Sequence, residues 1–186
     1  MRIASVNMRL IPCLLLLFMC ANVTRAATSD VPVQDTEGNQ HMLSEYLGRG
    51  KWTVVNIWAT GCPYCREELD ALIDFHERHR DRDATVLGLT VQWPGFGYPD
   101  REDVYYFALD FMISYPLLLV DREVSGRLIG KPVNMIPLTF FYNPEGKLVH
   151  RINGMVTDDM LEAVIRKKGA DYRIEWADVI PPEFRP

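Results

Sequence analysis

The chain has 186 residues, of which 48% are hydrophobic and 24% charged, and its formal net charge is −5 at pH 7. This length is sufficient for one domain with a substantial core. The negative charge argues against nucleic acid or an anionic lipid surface as a partner, because both carry charge of the same sign.

The first residues have the pattern of a secretory signal peptide. Arginines precede an apolar run from Leu10 to Val23, which is short for a membrane span, and a small residue follows at Ala26. We expect cleavage after Ala26, with an uncleaved signal anchor as the alternative. Residues 1–26 hold three of the 20 basic side chains and none of the 25 acidic ones, so cleavage would change the net charge from −5 to −8.

The cysteines divide into two pairs. Cys13 and Cys20 would leave with the signal peptide. Export would place the rest of the chain where disulfides persist. Cys62 and Cys65 could then pair only with each other or with another molecule.

The first half of the predicted domain contains a β–α–β unit. Residues 53–59 and 85–91 are apolar and β-branched, which is typical of strands buried on both faces. Pro63 suits the first position of the helix between them, because its missing N–H has no helical partner there. The two strands should be parallel and end at one edge of the sheet, where open sheets bind ligands. The loop 93–99 should therefore lie near Cys62.

The helix between the two strands has one apolar face. This face comprises Cys65, Leu69, Leu72, Ile73 and His76.

The second half also alternates helices and strands. Asp100 and Thr157 are each predicted to cap a helix, residues 116–120 a short strand, and residues 138–142 and 147–152 an antiparallel hairpin. The predicted buried face of the helix after Asp100 comprises Val104, Phe107, Ala108, Phe111 and Met112. This order of elements indicates an α/β fold with a mixed sheet.

The segment WATGCPYCREEL places two cysteines one helical turn apart. Cβ atoms at this spacing lie about 5 to 6 Å apart, which permits a disulfide. We expect Cys62, at the exposed end of the helix, to attack first, and Cys65, on the apolar face, to resolve the mixed disulfide. Glu68 lies on or beside the same face, where burial would raise its pKa, and we expect it to accept the proton of Cys65. The alternative for Glu68 is a solvated acid in the first turn.

A structural disulfide and a zinc site are the alternatives for the cysteine pair. Structural disulfides usually close longer loops. His76 and His79 lie several turns beyond Cys62, too far along the helix to complete a four-ligand zinc site. We therefore expect a redox pair without a metal or cofactor, and we expect His79 and His41 to be surface residues.

Three blocks of the chain resemble the thioredoxin-like oxidoreductases of the TlpA, ResA and DsbE type, from about residue 35 to residue 168. DTEGNQHMLSEYLGRGKWTVVNIWAT looks like the entry hairpin, short helix and first central strand of that group. CPYCREE carries the redox pair, with Glu68 at the place of a buried glutamate, and IPLTFFYNPEGKLVHRING looks like the cis-proline strand and hairpin. The resemblance implies a thioredoxin fold: a central mixed β-sheet flanked by helices, with an N-terminal β-hairpin extension and a short helical insertion.

The same resemblance implies a substrate-binding edge. It implies that Pro137 is cis and packs beside Cys62, with Ile136 before it, so that both residues present backbone to a substrate. Gly61 stands where relatives commonly have a second tryptophan, so Cys62 should be less shielded. We assign Ile136, Pro137, Gly61 and Trp93 to substrate binding, with simple packing as the alternative for the loop that contains Trp93.

These patterns predict a thiol–disulfide oxidoreductase that is periplasmic or otherwise extracytoplasmic. It is expected to act on protein thiols and disulfides, to run as a reductase and to be served by a membrane-bound redox partner. The predicted domain spans residues 27–168. Residues 169–186 form a tail that packs on the body or docks a partner. The alternative functions are a DsbA-like disulfide oxidase or isomerase, a peroxidase, and a thioredoxin-fold partner-binding module.

Overall fold

The structure is a computed structural model that describes residues 31–97, 99–128 and 133–167. The predicted signal peptide (1–26) and tail (169–186) lie outside the described residues. Within those three ranges, no helix is both long enough and apolar enough to cross a membrane.

A mixed sheet forms the centre of the described structure. Its strands are β1 (Pro32–Asp35), β2 (Gln40–Met42), β3 (Trp52–Trp58), β4 (Ala84–Thr90), β5 (Leu117–Leu119), β6 (Leu138–Tyr142) and β7 (Leu148–Asn153). They lie in the order β2-β1-β5-β4-β3-β6-β7. β4 runs parallel to β3 and β5, whereas β6 runs antiparallel to β3. The β1–β2 hairpin extends the sheet by pairing β1 with β5. The predicted thioredoxin fold with an N-terminal hairpin is confirmed.

Helices cover this sheet and complete two apolar clusters. They are α1 (Pro63–Glu67), α2 (Leu69–His79), α3 (Arg101–Asp110), α4 (Arg122–Ser125) and α5 (Asp158–Arg166). All seven residues of the central strand β3 are buried. Its Val54 and Trp58 pack in one cluster with residues of α2, α3 and α5, while Val55 and Ile57 belong to the cluster on the other face. The alternation follows from the period of two residues along a strand.

The helix predicted after the cysteines is broken at Glu68. Its backbone there has φ −92° and ψ −5°, so α1 ends at Glu67 and α2 begins at Leu69. The side chain of Glu68 is 2% exposed and its two oxygens accept hydrogen bonds from β3 and from the segment before α5. The break occurs where a carboxyl group is directed into the core.

The predicted buried face of α3 is correct at Val104 and Phe107 and wrong at its end. Met112 is 81% exposed and has φ 51°, a left-handed conformation. The helix ends at Asp110, so the helical spacing that placed Met112 on the buried face no longer applies there. Phe111 is also exposed.

The prediction that His79 is a surface residue is wrong. His79 is 4% exposed and stacks on Phe75 with the ring centroids 4.3 Å apart. Its ring nitrogens lie 2.7 Å from Asp83 Oδ1 and 2.9 Å from Glu162 Oε1. Because α5 packs against α2, it covers a position that the isolated helix would expose. His41 is half-buried and contacts Asp35 at 3.0 Å.

Candidate active site

The two cysteines lie at the end of the central strand β3. The N–H of Cys62 donates to the carbonyl of Ala59 at 3.1 Å, and Cys62 is the N-cap residue of α1. Cys62 and Cys65 form a disulfide with Cα atoms 5.3 Å apart, within the usual range for such a bond. The N–H of Cys65 donates to Sγ of Cys62 at 3.3 Å. This N–H can stabilise negative charge on that sulfur when the disulfide opens.

The expectation that Cys62 is exposed is wrong for this disulfide form. Cys62 is 0% exposed and Cys65 1% exposed, so burial does not distinguish them. The absence of a side chain at Gly61 does not expose Cys62 to solvent. A Cβ built on Gly61 would lie 2.2 Å from the carbonyl oxygen of Phe96, so the backbone of Phe96 occupies that space.

The segment that supplies this backbone is a tight turn after β4. The N–H of Phe96 donates to the carbonyl of Trp93 at 2.9 Å, and the N–H of Trp93 donates to the carbonyl of Gly97 at 3.2 Å. The guanidinium of Arg122 lies 5.3 Å from the centroid of the Trp93 ring. The predicted approach of this loop to the cysteines is therefore confirmed, and Trp93 itself packs half-buried against both apolar clusters. Tyr98 lies outside the described residues.

Glu68 brings an ionisable group into the core beside the cysteine helix. Its Oε1 accepts from Asn56 Nδ2 at 2.8 Å and its Oε2 accepts from the N–H of Val156 at 2.8 Å. Burial raises the pKa of Glu68 to about 8, although both hydrogen bonds act in the opposite direction because they favour the carboxylate. Glu67, its neighbour, is exposed, as predicted.

The strand β6 brings the predicted proline to the same edge of the sheet. The peptide bond between Ile136 and Pro137 is cis, as the resemblance implies. The carbonyl of Pro137 accepts from the N–H of Gly154 at 3.0 Å, and β6 begins at the next residue. Ile136 is half-buried and packs against the apolar cluster that contains both cysteines.

Sequence reasoning missed the polar neighbours of Glu68. Asn56 is 1% exposed and Thr139 is 0% exposed. Both stand in strands that are otherwise mostly apolar, and a lone amide in such a strand was the signal that could have revealed a buried polar partner. In the part of the chain that the structure describes, no three His, Cys, Asp or Glu side chains are grouped to hold a metal ion.

Comparisons with known proteins agree with this architecture. The model of the AhpC/TSA family matches residues 24–151. The thiol-disulfide oxidoreductase ResA of Bacillus subtilis is 28% identical over 137 residues, which cover 72% of this chain and 70% of ResA. The crystal structure of a DsbF homologue from Corynebacterium diphtheriae has a TM-score of 0.60 at 25% identity, covering 74% of this chain and 85% of that chain. A secreted thiol-disulfide isomerase from Corynebacterium glutamicum has a TM-score of 0.64 at 24% identity, covering 76% and 84%.

Proposed function

We propose that this chain, which belongs to the AhpC/TSA family and is a thioredoxin-like protein-disulfide oxidoreductase, works outside the cytoplasm as a reductase of protein disulfides. The observation that carries the proposal is the position of the Cys62–Cys65 disulfide at the start of α1, with the buried carboxyl of Glu68 in the next turn. A disulfide that only stabilises the fold does not require a buried ionisable group nearby, and burying such a group costs free energy.

In the proposed reaction, the thiolate of Cys62 attacks one sulfur of a client disulfide. A mixed disulfide forms and the other client sulfur leaves as a thiolate. Cys65 then loses its proton and attacks Sγ of Cys62, which releases the second client sulfur. Two electrons pass to the client, which ends as two thiols after taking up two protons, and the Cys62–Cys65 disulfide forms.

Glu68 is the proposed acceptor of the proton of Cys65. A pKa of about 8 lies close to the ordinary thiol value of about 8.5, so a proton can pass between the two groups with little change in free energy. Fixed hydrogen bonds hold both carboxyl oxygens, which limits the carboxyl to one orientation.

Ile136 and Pro137 are the proposed docking edge for the client. Proline has no N–H to donate to a neighbouring strand, and the carbonyl of Pro137 already accepts from Gly154, so the backbone of Ile136 would make the main-chain contacts with an incoming segment. Gly61 and Trp93 would border the same segment on the other side of Cys62. A membrane-bound redox partner would return the Cys62–Cys65 pair to the dithiol form.

The proposed location depends on residues 1–26 acting as a cleaved signal peptide, which leaves residues 27–168 as the oxidoreductase domain. The basic start and apolar run support this proposal. One structural neighbour is described as secreted, which is consistent with it.

The proposed function is tested by insulin reduction and by the reduction potential of the cysteine pair against glutathione. The purified protein should reduce insulin, and the Cys62→Ser/Cys65→Ser double variant should not. A potential as low as that of thioredoxin, about −270 mV, supports a reductase. A potential near that of DsbA, about −120 mV, would contradict it and favour a disulfide oxidase.

A further inference from the structure

Asn56 is a buried amide in the middle of the central strand. It is 1% exposed and lies in β3, which pairs with strands on both sides. An amide in such a position costs free energy unless its polar atoms have partners. Its contacts therefore indicate what the residue does.

Both hydrogens of Asn56 Nδ2 have acceptors. One donates to Glu68 Oε1 at 2.8 Å and the other to Thr139 Oγ1 at 3.0 Å. Thr139 is the direct cross-strand partner of Asn56 in β6. When Glu68 is ionised, the opposite orientation of the amide would place its oxygen against a carboxylate oxygen, so the ionised form requires the Nδ2 end of the amide to face Glu68.

We propose that Asn56 is a positioning residue for the resolving step of thiol–disulfide exchange, which it serves by holding the Glu68 carboxyl through Oε1 while the Val156 N–H holds Oε2. In this role Asn56 acts through Glu68, to which it donates a hydrogen bond. The inference rests on the proposed function, because it requires that Glu68 accept the proton of Cys65.

The amide also connects the carboxyl to the strand where a client would dock. Thr139 lies two residues after Pro137, and the cross-strand contact joins it to Asn56. A shift of β6 on client binding would therefore move the amide that orients Glu68.

The charge on Glu68 should depend on this amide. The groups shown to interact with Glu68 are the donors Asn56 and Val156 and the phenol of Tyr115 from the segment before β5, whose own pKa is raised by burial and by Glu68. Removing the Asn56 donor removes one of the two hydrogen bonds that favour the carboxylate. The pKa of Glu68 should then rise above about 8, and a smaller fraction would be ionised at neutral pH.

The experiment measures the rate at which Cys65 resolves a mixed disulfide between Cys62 and a client peptide, between pH 6 and 10. In Asn56→Ala we expect the midpoint of the pH profile to rise by about one unit, which corresponds to a roughly tenfold slower rate at pH 7. The rate should recover at high pH. Thr53→Val is the matched control, since Thr53 is buried in the same strand and donates to the carbonyl of Tyr46 instead.

A second comparison distinguishes a positioning role of Asn56 from a purely structural role. In the background of Glu68→Gln, the Asn56→Ala change should cause no further loss of rate. An equal loss at every pH, or a further loss in that background, would overturn the proposal. If Glu68→Gln alone leaves rate and profile unchanged, the role of Glu68 fails and this inference with it, whereas insulin reduction through the cysteines would stand.

A second variant covers the case in which Asn56→Ala does not fold. Thr139→Val removes the acceptor that orients the amide but keeps the donor to Glu68. We expect the midpoint to move in the same direction by a smaller amount. An unchanged midpoint in this variant would overturn the inference.

Discussion

The carbonyl oxygen of Phe96 lies 2.2 Å from the place where a Cβ of residue 61 would stand, so the backbone of the loop after β4 packs closely against the residue before Cys62. Any thiol that attacks the disulfide must reach a sulfur, yet neither cysteine is more than 1% exposed. Because this loop is packed beside Cys62, we expect it to be the segment that moves before exchange can occur.

Gly61→Ala should displace this loop and expose the disulfide. The added methyl group cannot coexist with the Phe96 carbonyl at 2.2 Å, so the loop must shift. We expect dithiothreitol to reduce the Cys62–Cys65 disulfide several-fold faster in this variant, as measured by thiol release. Tyr105→Ala is the control, since Tyr105 lies outside the disulfide loop, is 48% exposed, and its loss should change the rate by less than about twofold. An unchanged rate in Gly61→Ala would show that another group covers the sulfurs.

Arg122→Ala should loosen the same loop from its other end. The guanidinium over the Trp93 ring is a cation–π contact, worth about 0.5 to 1 kcal/mol at a partly exposed site. We expect a change in Trp93 fluorescence and a modest increase, about two- to fivefold, in the rate of disulfide reduction. Arg127→Ala removes an exposed arginine nearby in the chain and should change neither the Trp93 fluorescence nor the rate of disulfide reduction. Equal effects of the two variants would indicate general electrostatics rather than loop anchoring.

The central part of the fold was predictable from the sequence because local patterns and tertiary structure agree there. The buried strands β3 and β4 and the caps Asp100 and Thr157 all lie within one residue of their predicted places. Their apolar spacing and capping residues are set by contacts within a few positions along the chain.

The errors occur where distant segments decide the environment. His79 is buried because α5 covers it, and Cys62 belongs to a buried cluster against which Phe96, 34 positions later in the chain, also packs. The partners of Glu68 were missed for the same reason, since Asn56 and Val156 lie 12 and 88 positions away in the sequence. No local pattern encodes these contacts.

His79→Ala should destabilise the fold through the contact between α2 and α5. The change removes a ring stacked on Phe75 and partners for Asp83 and Glu162, whose pKa values His79 helps to lower. Hydrogen bonds to charged groups contribute about 1.5 to 3 kcal/mol each when they are buried. Both carboxylates here are more than a third exposed, so solvent screens them, and we expect a smaller total loss of about 2 to 3 kcal/mol in the free energy of unfolding at pH 7. Chemical denaturation of both proteins measures this difference in the free energy of unfolding. Arg82→Ala, which alters an exposed side chain, should change the free energy by about 0.5 kcal/mol or less.

The buried carboxyl of Glu68 should make the stability of the oxidised protein fall as pH rises. The folded-state pKa of about 8 exceeds the ordinary value of 4.5, so between these two pH values the folded state binds more protons than the unfolded state. The free energy of unfolding should therefore decrease across this window by up to about 1.4 kcal/mol per pH unit, and by a few kcal/mol in total. Below pH 4.5 the group is neutral in both states and the cost is absent.

Glu68→Gln isolates this contribution because glutamine does not titrate. The difference in unfolding free energy between the wild type and Glu68→Gln, measured in guanidinium at several pH values, should shift steadily against the wild type from pH 4.5 to 8 and then level off. Glu67→Gln alters the exposed neighbour and should follow the wild type throughout. Parallel curves for the wild type and Glu68→Gln would mean that Glu68 stays ionised in the folded protein across this pH range. Its pKa would then lie well below that of a thiol, and Glu68 would be a poor acceptor for the proton of Cys65.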